Sequence, residues 1–172
     1  MTYTTKQYQV EAMKTKSGVR RLNNLDFNHW LHLRCSAIDV GEKAKVLKRA
    51  AFSDQRSDIA DSSPMEIQCN PDLLHAMLGV FNEAGEIAGL GWGIRQNQPD
   101  ILAKADLEMA DLLWFIALWC EGRGFDLGTL MRMNIAKLRA RHGEKFDSEK
   151  MDDAKRDPDA ENRAAEEARN TQ

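Results

Sequence analysis

Cysteine is scarce in this 172-residue sequence: Cys35, Cys69 and Cys120 are odd in number, far apart and in no C-x-x-C spacing. That excludes a disulfide framework and a thiolate zinc site, and the expectation is reduced thiols in a cytoplasmic protein. Proline is confined to four positions, and no segment alternates apolar and polar residues as a half-buried strand does. The longest apolar run, LLWFIALWC, is far shorter than the roughly 20 residues a membrane span needs, and the opening MTYTTKQYQV has no apolar core of the signal-peptide kind. An excess of positive charge is also missing. With a net charge of −3 and a pI near 5.8, a stable non-specific grip on nucleic acid or on an anionic membrane is not expected. What is abundant is apolar content, 42%, enough for the core of one compact domain spanning 1–172.

Helical periodicity organises that content into an all-α chain. Residues 6–15 form a short amphipathic pattern with Tyr8, Val10 and Met13 as core contacts, ending near Ser17-Gly18. Residues 25–50 carry a second pattern, which Gly41 is expected to break. The polar stretch 53–64 reads as a linker closing an N-terminal region, 1–64. Asn70 and Pro71 have the types of an N-cap and first helical residue. That helix is expected to end at Gly89, Gly91 and Gly93, with Pro99 in the turn. Asp100 then caps a helix closed by Gly122 and Gly124, and a fourth runs over 127–143. The tail, 144–172, has 16 charged residues in 29 and reads as a loose helix or solvated segment.

The chemistry concentrates in two acidic pairs, Glu83-x-x-Glu86 and Glu108-x-x-Asp111. Residues three apart share a helix face, so each pair presents two carboxylates to whatever packs opposite. The second pair lies on a helix whose apolar residues, Leu107, Leu112 to Ile116, Leu118 and Trp119, cover nearly its whole circumference, which predicts burial on all sides. Buried carboxylates need a counter-charge, and the only bases between 80 and 120 are Arg95 and Lys104. A hard divalent cation answers that need, and Mg²⁺, with Mn²⁺ as substitute, suits a set made only of carboxylates. On the fourth helix Asn134, Lys137 and Arg141 form a polar and basic stripe suited to polyphosphate oxygens. A solvated helix face is the plain alternative. Phe115 and Trp119 fall on the ligand side of their helix, and His75 shares a face with Gly79, Asn82 and Glu86, so these three are candidates for contacts to a base; core packing or solvent exposure would account for them equally.

The order E-x-x-E, a spacer of 21 residues, E-x-x-D and then N-x-x-K resembles the MazG-like all-α nucleoside triphosphate pyrophosphohydrolases, of the phage and bacterial type, related to dCTP pyrophosphatases and dimeric dUTPases. The segments that carry it are LLHAMLGVFNEAGE, LEMADLLWF and NIAKLRARHG, within about residues 73–157. Two departures are a longer connection over 16–70 and Ala110 where the family has glycine. The resemblance implies a four-helix-bundle-like core with the catalytic helices in 70–143, extra N-terminal helices and a charged tail that ends in Arg156-Asp157. It implies Mg²⁺ ligands at Glu83, Glu86, Glu108 and Asp111, with Glu83 or Glu86 orienting the attacking water. It also implies phosphate contacts at Asn134 and Lys137, a nucleoside triphosphate substrate, and a homodimer or dimer of dimers in a bacterial or phage-infected cytoplasm. Two rivals stand beside it: a helical interaction module with structural carboxylates, and a ferritin-like di-metal protein. The latter needs E-x-x-H on two helices, and only Asp26-x-x-His29 and Asp72-x-x-His75 have the spacing.

Overall fold

The computed structural model describes residues 4–16, 26–52 and 68–171. Among them every regular element is helical: α1 (Thr5–Lys14), α2 (Phe27–Phe52), α3 (Pro71–Arg95), α4 (Pro99–Gly122), α5 (Leu127–His142) and α6 (Pro158–Asn170), with 3₁₀ turns at Glu149–Met151 and Asp153–Lys155. None of these helices is long and apolar enough to cross a membrane. The expected linker, 53–64, lies outside the described residues. The chain divides into two compact units, Asn23–Gly124 and Met1–Leu22 with Phe125–Gln172.

In the first unit α3 is the shared element, packing against α2 and against α4. Asn70 accepts from the Asp72 amide as N-cap, with Pro71 following it, and its own side-chain amide reaches the Gly122 carbonyl at 3.1 Å, tying the start of α3 to the end of α4. Gly41 does not break α2. A Cβ placed on Gly41 would stand 2.6 Å from the Gly85 Cα, and one on Gly85 would stand 2.6 Å from the Gly41 Cα, so the two glycines let α2 and α3 touch backbone to backbone. Nor do Gly89, Gly91 and Gly93 end α3, which continues to Arg95. A side chain on Gly93 would collide with Ile101, so this glycine seats α4 rather than terminating a helix. The turn is made by Asn97, at a left-handed φ of 55°, with the Gln98 amide closing on the Gly93 carbonyl. Gln98 is the N-cap of α4 and Asp100 falls in its first turn, where a carboxylate still favours the helix dipole.

The apolar helix α4 is not buried on all sides. Ala105, Phe115 and Cys120 are buried, and Glu108 and Leu112 half-buried, along one stripe, while Leu107 (67% exposed), Leu113 (51%) and Trp114 (55%) lie on the surface. Only α3 packs closely on it among the described elements, and one neighbour covers one face.

In the second unit α5 packs against α6 and α1. Tyr8 is half-buried, but Val10 and Met13 stay exposed, because the ten-residue α1 meets α5 through Tyr8 and Glu11 instead. The charged tail contains a well-formed helix where a loose or solvated segment is expected. Asp157 caps α6, and Ala160, Glu161, Ala164, Ala165 and Ala168 make its inward stripe. Alanines allow close approach, and their helical spacing between the charges makes α6 amphipathic.

Candidate metal centre

The acidic pairs meet in the first unit. One carboxylate oxygen from each of Glu83, Glu108 and Asp111 lies within 4.8 Å of the others, with Glu83 buried, Glu108 half-buried and Asp111 exposed. The α3–α4 hairpin brings them together, since each pair sits on the face its helix turns to the other. Glu86 is not in this trio. Its Oε1 accepts from Lys45 Nζ at 2.9 Å, one helical turn along from Glu83, whose Oε1 takes Lys48 Nζ at 3.3 Å. Asn82 joins the two acids, its Nδ2 donating to Glu83 Oε1 at 2.8 Å and to Glu86 Oε1 at 3.2 Å. Asn82 is 3% exposed, and among the described residues its carboxamide oxygen has no hydrogen-bond partner.

These contacts set the charges. Burial raises the Glu108 pKa, and the negative charges of Glu86 and Glu83, a hydrogen bond with Glu86 and the charge of Asp111 raise it further. Burial pushes Glu86 the same way, but the Lys45 ammonium and the Asn82 amide outweigh it, so Glu86 lies below its ordinary value. The bond to Glu86 correspondingly raises Lys45 against the effect of its own burial.

Lys45 and Lys48 overturn one step of the sequence argument. Bases are scarce only within 80–120; α2 supplies two from outside that window. The spacing Gly41-x-x-Ala44-Lys45-x-x-Lys48 carries a signal for them, because Gly41 and Ala44 are the buried residues of α2 and the two lysines follow on the same flank.

His75 does not stand on an open polar face. It is half-buried, stacked on Phe52 with ring centres 4.2 Å apart, and edge-on to Phe115 and Trp114 at 5.6 and 5.9 Å. Burial lowers its pKa, and the Lys48 charge adds to that. On the flank of α3 opposite His75, Leu78 is buried while Met77 and Phe81 are exposed. The docking of Phe115 decides this orientation: its ring occupies the space a Cβ on Gly79 would need, at 2.1 Å, which commits the Gly79 flank of α3 to α4. Phe115 is buried, and Lys48 Nζ lies 4.6 Å from its ring centre. Trp119 remains 39% exposed, with no ring contact among the described residues.

Asn134, Lys137 and Arg141 belong to the second unit. Asn134 Oδ1 accepts from the Tyr8 hydroxyl at 3.2 Å, and Lys137 is half-buried. Arg141 makes a two-pronged bond to Glu161, Nε at 2.9 Å and Nη2 at 2.6 Å, and Arg156 Nε joins the same carboxylate at 3.2 Å. Despite burial, these guanidiniums, Arg141 first, hold the Glu161 pKa down at about 2. Sequence reasoning missed Lys45, Lys48, Asn82 and Glu161. Against known protein families, curated proteins and solved structures the chain has no match.

Proposed function

We propose that the protein is a Mg²⁺-dependent nucleoside triphosphate pyrophosphohydrolase of the MazG-like type, with α3 and α4 as the central catalytic helices of a bundle-like core. The observation that carries this reading is the trio of carboxylate oxygens within 4.8 Å, contributed by an E-x-x-E and an E-x-x-D on paired helices. The donor set fits the ion: the oxygens are hard, and burial together with the charges of Glu86, Glu83 and Asp111 raises the Glu108 pKa. Glu83, Glu108 and Asp111 would hold the Mg²⁺, which would supply positive charge to the polyphosphate oxygens. Glu86, which Lys45 and Asn82 hold ionised before metal binds, orients a water and takes its proton as the water oxygen attacks phosphorus. The bond between the α-phosphorus and the bridging oxygen breaks, and its electron pair leaves with pyrophosphate. His75 and Phe115 serve as the aromatic wall nearest the base. The same reading includes a homodimer, with a second copy covering the outer apolar face of α4.

The ion pairs Lys45–Glu86 and Lys48–Glu83 favour one alternative, an interaction module in which the lysines alone neutralise structural acids. Pyrophosphate release from a panel of nucleotides with Mg²⁺ separates the two. The enzyme reading expects release by the natural protein and none by Asp111→Asn, with helical content retained. No release from any nucleotide by the folded protein refutes it.

A further inference from the structure

The carboxylate centre contains its own cations, and their geometry assigns them a second task. Four carboxylates gather there, Glu83, Glu86, Glu108 and Asp111, and two ammoniums face them. Two negative charges remain, the charge one divalent cation supplies. Each ammonium makes a single contact with its carboxylate, and the Lys48 pair is long at 3.3 Å. In both pairs the accepting oxygen also takes the Asn82 amide, so neither acid depends on its lysine alone. The lysine side chains are 29% and 19% exposed, which leaves their heads within reach of solvent. Lys45–Glu86 is a partly solvated pair that contributes little to stability, and Glu83, which is buried, can give up Lys48 only for another cation. A polyphosphate offers an ammonium several charged oxygens in place of one carboxylate oxygen that is already shared. Among the described residues the buried carboxamide oxygen of Asn82, on the group whose amide joins Glu83 and Glu86, has no partner.

We propose that Lys45 and Lys48 are exchangeable cations: without metal they neutralise Glu86 and Glu83, and when a divalent ion takes the carboxylates they turn to the phosphate oxygens of the incoming nucleotide. This rests on the pyrophosphohydrolase reading and deepens it by locating phosphate-binding residues on α2, beside the acids. Lys48 marks the direction of the substrate. Its ammonium lies between Glu83 and the ring of Phe115, so the polyphosphate lies at the carboxylate end and the base toward the cluster of Phe52, His75, Trp114 and Phe115.

The idea makes a prediction of opposite signs. Methionine preserves most of a lysine's stem and removes its charge, so Lys45→Met with Lys48→Met in the full chain eliminates the competing cations without opening a cavity. Mn²⁺ binding, followed by electron paramagnetic resonance without nucleotide, should tighten by about tenfold. Binding of an α,β-methylene nucleoside triphosphate in the presence of Mg²⁺, followed by calorimetry, should weaken by at least tenfold, the scale of one lost charged contact. Lys48→Arg, which keeps the charge, should retain analogue binding, and it serves as the test should the double variant fail to fold: its binding must then fall again when Lys45→Met is added. Variants that bind both Mn²⁺ and the analogue as the natural protein does would overturn the exchange while leaving the enzyme reading intact. A natural protein that binds neither would overturn both.

Discussion

Glu161 offers a test whose size follows from the structure. Its carboxylate is buried between Arg141 and Arg156, and its pKa falls from an ordinary 4.5 to about 2. At 1.36 kcal/mol per pKa unit, that difference is worth about 3 kcal/mol to the packing of α6 on α5. A lowered carboxylate pKa stabilises the fold fully above the unfolded value and loses its contribution as pH falls through the folded one. The stabilisation is therefore complete at pH 7 and fades between about 4.5 and 2. Glu161→Gln removes the charge and keeps the shape. Hydrogen exchange of the α6 amides, compared with the natural protein at the same pH, should be about 100-fold faster at pH 7. The difference should shrink steadily below pH 4.5. Equal exchange at pH 7, or a difference that persists undiminished to pH 2, would refute the assignment of the triad as the clasp of α6.

Gly85→Ala puts a methyl 2.6 Å from the Gly41 Cα, against backbone that has no rotamer to yield; separating α2 from α3 should cost about 1–3 kcal/mol, read as a drop of several degrees in thermal midpoint, and an unchanged midpoint would mean the crossing is not tight. The exposed face of α4 should be covered by a second copy in solution: sedimentation is expected to give a dimer or larger, and a 19.5 kDa monomer at micromolar concentration would remove that part of the reading.

The start of α3 at Asn70-Pro71, the end of α5 at Gly143 and the spacing within E-x-x-E and within E-x-x-D were legible because each depends on residues within a turn or two of one another. Local spacing places both members of an acidic pair on one face whatever surrounds the helix. The glycines were misread for the opposite reason. In a sequence Gly41 and Gly93 look like helix breakers, and only the backbone of α3 and the side chain of Ile101 show that they are points of close approach. His75 is a similar case, since the insertion of Phe115 over Gly79 chooses which flank of α3 is covered. The identity of the counter-charges also lies beyond local reading: Lys48 and Glu83 are 35 positions apart, and Lys45 and Glu86 41. By itself the sequence determined that this chain is helical and that its acids come in pairs on single helix faces, because those properties follow from composition and period. Which cations answer the acids, and which charged tail residue becomes a buried clasp, were decided by the tertiary structure, because charge compensation acts through space between helices that the chain separates by dozens of residues.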